Sequence, residues 1–287
     1  MRERFLSLVV GAVSRMLVRR DRRSGAVERM MNAFPFADGR LAIRSGERRL
    51  SAVYVSAGED TPAVLICHGI GELVEYWAGV QWMLKGLGVS SLAFNYSGYG
   101  ESSGSVSAAN CEEDAKAAYA ELAERGHRAV FLLGFSLGTG VSCAIADEVP
   151  AEGLILCEGF TSFREAAVAL RVWRWMTYTV PDRWVTVERV RSLRMPVLVV
   201  HSDGDELFPL SMARRVAEAC GERGDLMVAH GLSHNAPIFA PTREYWGRVV
   251  EWMERQCDRS RGEGEDSRSR MQEVSMGPRD SPSEQRA

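Results

Sequence analysis

The stretch AVFLLGFSLGTGVSCAIADEV, residues 129–149, changes character at its centre. Ala129 to Leu133 form a short unbroken apolar run, the pattern of a strand buried on both faces. From Leu137 onward Gly138, Thr139, Gly140, Ser142 and Ala144 keep the surface small, which lets a helix lie close to a sheet. Between the two stands Ser136, within Gly134-Phe135-Ser136-Leu137-Gly138. A serine on a tight strand-to-helix turn presents its Oγ at the end of the sheet, with the helix N-terminus beside it to face a developing oxyanion. G-x-S-x-G alone is a weak signal, because Gly100-Glu101-Ser102-Ser103-Gly104 repeats it. That copy lacks a strand directly before it and a helix directly after it. With Gly104, Ser105 and Ser107 following, it reads as a flexible loop of turn residues.

The same strand-turn-helix rhythm extends in both directions. LAIRSGERRLSAVYVSA (41–57) alternates with period two around Ser45-Gly46, which predicts an opening hairpin. AVLICHG (63–69), SSLAFNYSGYG (90–100), GLILCEG (153–159) and PVLVVHS (196–202) are short apolar runs ending in turn residues, each followed by a plausible helix. The stretch 112–124 reads as an Ala-rich helix, LMVAH (226–230) as the last strand and 241–256 as the last helix. Alternating elements with doubly buried strands imply an α/β domain, a mostly parallel central sheet with helices on both faces. No internal repeat or Gly/Ser linker divides it, so one domain is expected over 34–257. In such a sheet the chemistry gathers beyond the carboxyl ends of the strands.

The bulk numbers agree with a globular protein: 287 residues, 46% hydrophobic and 25% charged. A net charge of −3 with no basic stretch in the body sets nucleic acid aside as a partner. Six cysteines without a C-x-x-C pair argue for a reducing, cytoplasmic compartment and against a disulfide framework or a structural zinc site. The first 23 residues carry apolar positions at helical spacing among arginines. Three readings stand for them: a helix packed on the body, a basic amphipathic helix making peripheral membrane contact through residues 1–20, or a signal peptide. Residues 258–287 are rich in Arg, Glu, Ser, Asp and Gly without an aromatic, which predicts a disordered tail.

A serine hydroxyl needs a base, and the base needs an orienting group. Of five histidines, His127 precedes a strand at the far edge and reads as solvated, while His68 and His201 close strands, where packing explains them. His234, in the loop GLSHNAP (231–237), is the preferred base, and His230 its competitor. Asp205 is the preferred acid in the loop after PVLVVHS, ahead of Asp203, with Glu206 also present. Glu158, ending its strand, reads first as a capping or solvated glutamate. Its alternatives are a substitute orienting acid or a partner for a substrate cation. Two backbone amides must hold the oxyanion: Leu137, opening the helix, and Ile70 in the turn His68-Gly69-Ile70-Gly71.

With these residues assembled, the chain resembles the α/β-hydrolase superfamily, in the branch containing BEM46-like hydrolases and serine aminopeptidase or monoacylglycerol-lipase-like proteins. The resemblance is carried by HGIGE (68–72), NYSGYGESSG (95–104), LLGFSLGTG (132–140), VLVVHSDGDELFP (197–209) and GLSHNAP, in that order. It implies an α/β-hydrolase fold, a Ser136-Asp205-His234 triad and an Ile70/Leu137 oxyanion hole. Ser202, Asn95 and Ser97 depart from residues frequent in the family. The position of the family's lid falls at about 161–194, a short cap carrying Trp173, Trp175, Tyr178 and Trp184. These aromatics either pack helices on the core or wall an apolar pocket. The expectation is a serine hydrolase acting on a small-molecule ester or thioester through an acyl-enzyme, with no metal or organic cofactor. An aminopeptidase-like amide hydrolase, with Glu158 holding the substrate amine, and a non-catalytic binding protein are the alternatives.

Overall fold

The computed structural model describes residues 39–169 and 183–275. The hairpin forms as the alternation predicts: β1 (Arg40–Ser45) and β2 (Arg48–Val55) pair antiparallel around Gly46, whose φ of 57° suits the tight turn. Then come β3 (Ala63–Cys67), a 3-10 turn (Val74–Trp77), α1 (Ala78–Gly86), β4 (Ser90–Phe94) and α2 (Ala108–Ala123). The elbow follows, as β5 (Val130–Phe135) and α3 (Leu137–Ile145). Beyond it lie β6 (Leu154–Cys157), α4 (Phe163–Ala169), α5 (Thr186–Ser192), β7 (Val197–Ser202), α6 (Leu210–Cys220), β8 (Gly224–Ala229), α7 (Ala236–Phe239) and α8 (Arg243–Ser275).

The eight strands make one sheet in the order β1-β2-β4-β3-β5-β6-β7-β8, antiparallel at β1-β2 and β2-β4 and parallel throughout the rest. Side-chain alternation sends each central strand into two cores. Ala63, Leu65 and Cys67 of β3 and Leu132 of β5 face one core with α2, α3, α5 and α6. Val64, Ile66, Phe131, Leu133 and Phe135 face the other, where Trp77, Trp246 and Trp252 are buried. Helices therefore cover both faces, and the parallel strands all end at one rim.

Two boundaries differ from the sequence reading by more than two residues. Helix α2 starts at Ala108 rather than 112, because the Ser107 hydroxyl accepts the Asn110 amide and caps it. Helix α8 runs to Ser275, so the tail expected to be disordered from 258 is helical backbone up to that point. Its Arg, Glu, Gln and Met residues are good helix formers, and the first proline after Pro241 is Pro278. The six cysteines are free and buried. No helix among the described residues is long and apolar enough to cross a membrane. The expectations for residues 1–23 and for Trp173, Trp175 and Tyr178 of the cap lie outside the described residues.

Candidate active site

Ser136 sits where β5 turns into α3, at φ 51° and ψ −116°. A non-glycine residue in this region is strained by about 1–3 kcal/mol and persists only when its neighbours fix it. They do so here: the Ser136 amide donates to Cys157 O at 3.0 Å, and Thr139 donates to Ser136 O through its amide (3.0 Å) and its hydroxyl (2.7 Å). The flanking glycines allow a close approach. A Cβ at Gly134 would overlap Gly138 O, and one at Gly138 would overlap the Cys67 carbonyl at the end of β3. The first turn of α3 is thereby pressed against the loop 68–72, and a Cβ on Gly69 would stand 3.2 Å from Ser136 Cβ. Among the described residues neither the Ile70 nor the Leu137 amide donates a hydrogen bond.

Loop 68–72 is held by a residue that sequence reasoning passed over. Glu72 turns back so that one carboxylate oxygen accepts from the Gly69 amide (2.9 Å) and from Trp77 Nε1 (3.0 Å). Burial pushes its carboxyl up to about 7, against those two donors and the nearby His234. The one sequence hint is its place three residues after Gly69, close enough to turn back on that amide.

The loops after β7 and β8 meet beside the elbow. His234 Nδ1 lies 2.7 Å from Asp205 Oδ2, with the two side chains 3% and 0% exposed. The other oxygen, Oδ1, accepts the amides of Leu207 (2.7 Å) and Phe208 (2.9 Å). Burial works against ionisation of Asp205, but His234 and those amides outweigh it and hold the carboxyl below its ordinary range. An ionised carboxylate can only accept, so the imidazole donates from Nδ1 and keeps Nε2 as its acceptor. The ring is clasped by Phe135, the residue before Ser136, and by Phe208, with centroids 5.4 Å away in each case. The His234 amide donates to Glu206 at 3.0 Å.

The competing residues form a different pair. Asp203 accepts from His230 Nδ1 at 2.7 Å and from the Gly231 amide at 2.7 Å, but it lies in solvent, 39% exposed beside an imidazole 82% exposed. His68 is buried against Tyr96 and Tyr99, and burial lowers it to about 4, so it stays neutral. His127 is not simply solvated: Tyr54 OH (3.1 Å) and Thr61 O (3.3 Å) bind its half-buried ring. Nor is Ser102 loosely held. Its hydroxyl donates to Asn95 O (2.7 Å) and accepts the Ser51 amide (2.9 Å), fastening the loop to β2.

Glu158 corrects the sequence reading most. It is fully buried at φ 48°, neither solvated nor open to a substrate cation. Oε2 accepts the Ser202 amide (2.9 Å), while Oε1 accepts the Ser202 hydroxyl (2.7 Å) and Tyr245 OH (3.3 Å). Its carboxyl stands with Asp205 and His234 in a cluster whose polar atoms lie within 4.8 Å of one another. Trp184 packs as a core residue: its indole donates to Glu112 at 2.8 Å and its ring meets Phe163 edge-on.

The family described as serine aminopeptidase, S33, matches residues 58–188, which include the elbow but neither Asp205 nor His234. An uncharacterized protein of Mycobacterium tuberculosis is 31% identical over 185 residues, covering 63% of this chain and 66% of the relative. The lysophosphatidylserine lipase ABHD12 of Danio rerio is 28% identical over 163 residues, covering 50% of this chain and 43% of that protein. The chain thus spans just under two thirds of the first relative's length and less of the second's. An esterase of Pyrococcus furiosus shares the fold with a TM-score of 0.63 at 20% identity, over 76% of this chain and 92% of the other. The fold is the α/β-hydrolase fold. The likeness to the serine aminopeptidase family is confined to residues 58–188.

Proposed function

We propose that this chain is an α/β-hydrolase of the esterase, lipase or peptidase kind, and within that class a serine hydrolase that cleaves a carboxylic ester or thioester. Ser136 Oγ attacks the carbonyl while His234 Nε2 takes its proton, and Asp205 holds the imidazole and stabilises the cation that forms. The Leu137 and Ile70 amides receive the oxyanion. His234 then protonates the leaving group, and a water deprotonated by the same nitrogen releases the acid from Ser136. No step calls on a metal or an organic cofactor.

The observation that carries this reading is the buried Asp205–His234 pair at 2.7 Å, set against the residue that precedes the positive-φ serine. The peptidase alternative loses its proposed amine-binding group, because both Glu158 oxygens are occupied inside the fold. Paired assays on activated esters, thioesters and aminoacyl amides of graded acyl length test the proposal. Ester or thioester turnover that disappears in Ser136→Ala is the expected result. Preferential amide cleavage would favour the peptidase, and no turnover with no fluorophosphonate labelling of folded protein would favour a binding role.

A further inference from the structure

We propose that Glu158 is a positioning residue for the hydrolytic site: it clamps the end of β7 through both polar groups of Ser202, and so keeps Asp205 in register with His234. The inference rests on the roles given above to Ser136, His234 and Asp205.

Glu158 follows β6, which lies between the strand that delivers Ser136 and the strand that delivers Asp205. Its backbone takes φ 48°, unfavourable for a side chain with a Cβ, and this conformation accompanies a carboxylate turned fully inward. The clamp is short. Ser202 gives Glu158 its amide and its hydroxyl, and the carbonyl of the same Ser202 accepts the Asp205 amide at 3.2 Å. One residue thus links the glutamate to the backbone of the orienting acid. The other flank of the turn is held by His201, whose Nε2 lies 2.9 Å from Phe208 O and whose Nδ1 faces Glu158 Oε2 at 3.7 Å with no hydrogen-bond partner.

A carboxylate is an expensive way to fill space in a core, because burying its charge costs more than burying an apolar or amide side chain of the same size. What it supplies here is acceptor capacity for three donors converging from two elements. The groups facing it are Cys157 on β6, His201 and Ser202 on β7, Asp205 in the next loop, His234 in the loop after β8 and Tyr245 on α8. Burial keeps the Cys157 thiol and the Tyr245 phenol protonated, and Tyr245 acts as a donor. Burial also raises Glu158 to about 7, so near neutrality it exchanges between the ionised form, which accepts all three donors, and the acid, which surrenders one acceptor position.

Glu158→Gln keeps the shape and mimics the acid form, its amide NH2 standing where the carboxylic OH would be. The expected result is a fall in kcat of about tenfold with KM within about twofold, since small misplacements of a catalytic group act on kcat. In addition, the acidic limb of log kcat against pH should be steeper than one proton in the wild type over about pH 5–7 and have unit slope in Glu158→Gln. Ser202→Ala, which removes one donor, is expected to lose about threefold in kcat at unchanged KM. If Glu158→Gln does not fold by circular dichroism, Ser202→Ala carries the test. Wild-type kcat and limb slope in Glu158→Gln, or wild-type kcat in Ser202→Ala, would overturn the proposal. Ser136→Ala is run in parallel. An inactive Ser136→Ala beside an unaffected Glu158→Gln removes only the glutamate's role, whereas an active Ser136→Ala removes the reading of the site itself.

Discussion

Two aspartate–histidine pairs, Asp203–His230 and Asp205–His234, are supplied by the same two loops and closed at the same 2.7 Å. They differ in surroundings. The first stands in solvent, its imidazole 82% and its carboxylate 39% exposed. The second is sealed by Phe135 and Phe208, its acid fixed by two backbone amides and underlain by His201 and Glu158. Contact distance therefore does not tell the two pairs apart, whereas their surroundings do. A pair exposed to water exchanges partners freely and is screened by salt, while a sealed pair keeps one tautomer and one direction for its remaining nitrogen.

The sharpest way to break this contrast is to remove each imidazole. His234→Ala is expected to lower kcat/KM on an activated ester by a factor on the order of 10⁴–10⁶. His230→Ala should stay within about twofold, since it deletes only a screened surface contact. Next in size are the acids. Asp205→Asn should cost about 10³–10⁴ in kcat by permitting the wrong tautomer, and Asp203→Asn should again be close to neutral. Equal losses in the two series would erase the distinction.

The two G-x-S-x-G serines extend the comparison to stability. Ser102→Ala strips a buried acceptor and donor, and thermal unfolding should show a loss of about 1–3 kcal/mol with the specific activity of folded protein intact. Ser136→Ala should do the reverse, abolishing turnover with little change in stability. The smallest expected effect is electrostatic. The Gly231 amide and His230 hold the exposed Asp203 carboxyl below its usual range. Its titration, followed by NMR, should move back upward as salt is raised from about 0.05 to 1 M. The buried Asp205 should hardly respond.

Much of this was legible in the residues. The sheet was readable because strands buried on both faces leave unbroken apolar runs, and the elbow because Gly134 and Gly138 are needed where α3 touches β3. Asp205 and His234 could be ranked because chain order and loop position restrict which side chains reach a rim. Glu158, Glu72 and Ser102 escaped because burial of a polar side chain is decided by distant partners. Nothing local tells that Glu158 will find Ser202 and Tyr245, 44 and 87 residues along the chain. The start of α2 is not legible, because Ser107 reads as one more loop serine and only the folded geometry brings its hydroxyl to the Asn110 amide.

In the proposed mechanism the Ser136 hydroxyl is the nucleophile, served by His234 and Asp205. A crystal structure of the protein after reaction with a fluorophosphonate tests it most directly. The expected result is phosphorus bonded to Ser136 Oγ, its free oxygen within about 3 Å of the Ile70 and Leu137 amides, and His234 still bonded to Asp205. Phosphorus on another residue such as Ser102, or an oxygen facing away from both amides, would contradict it.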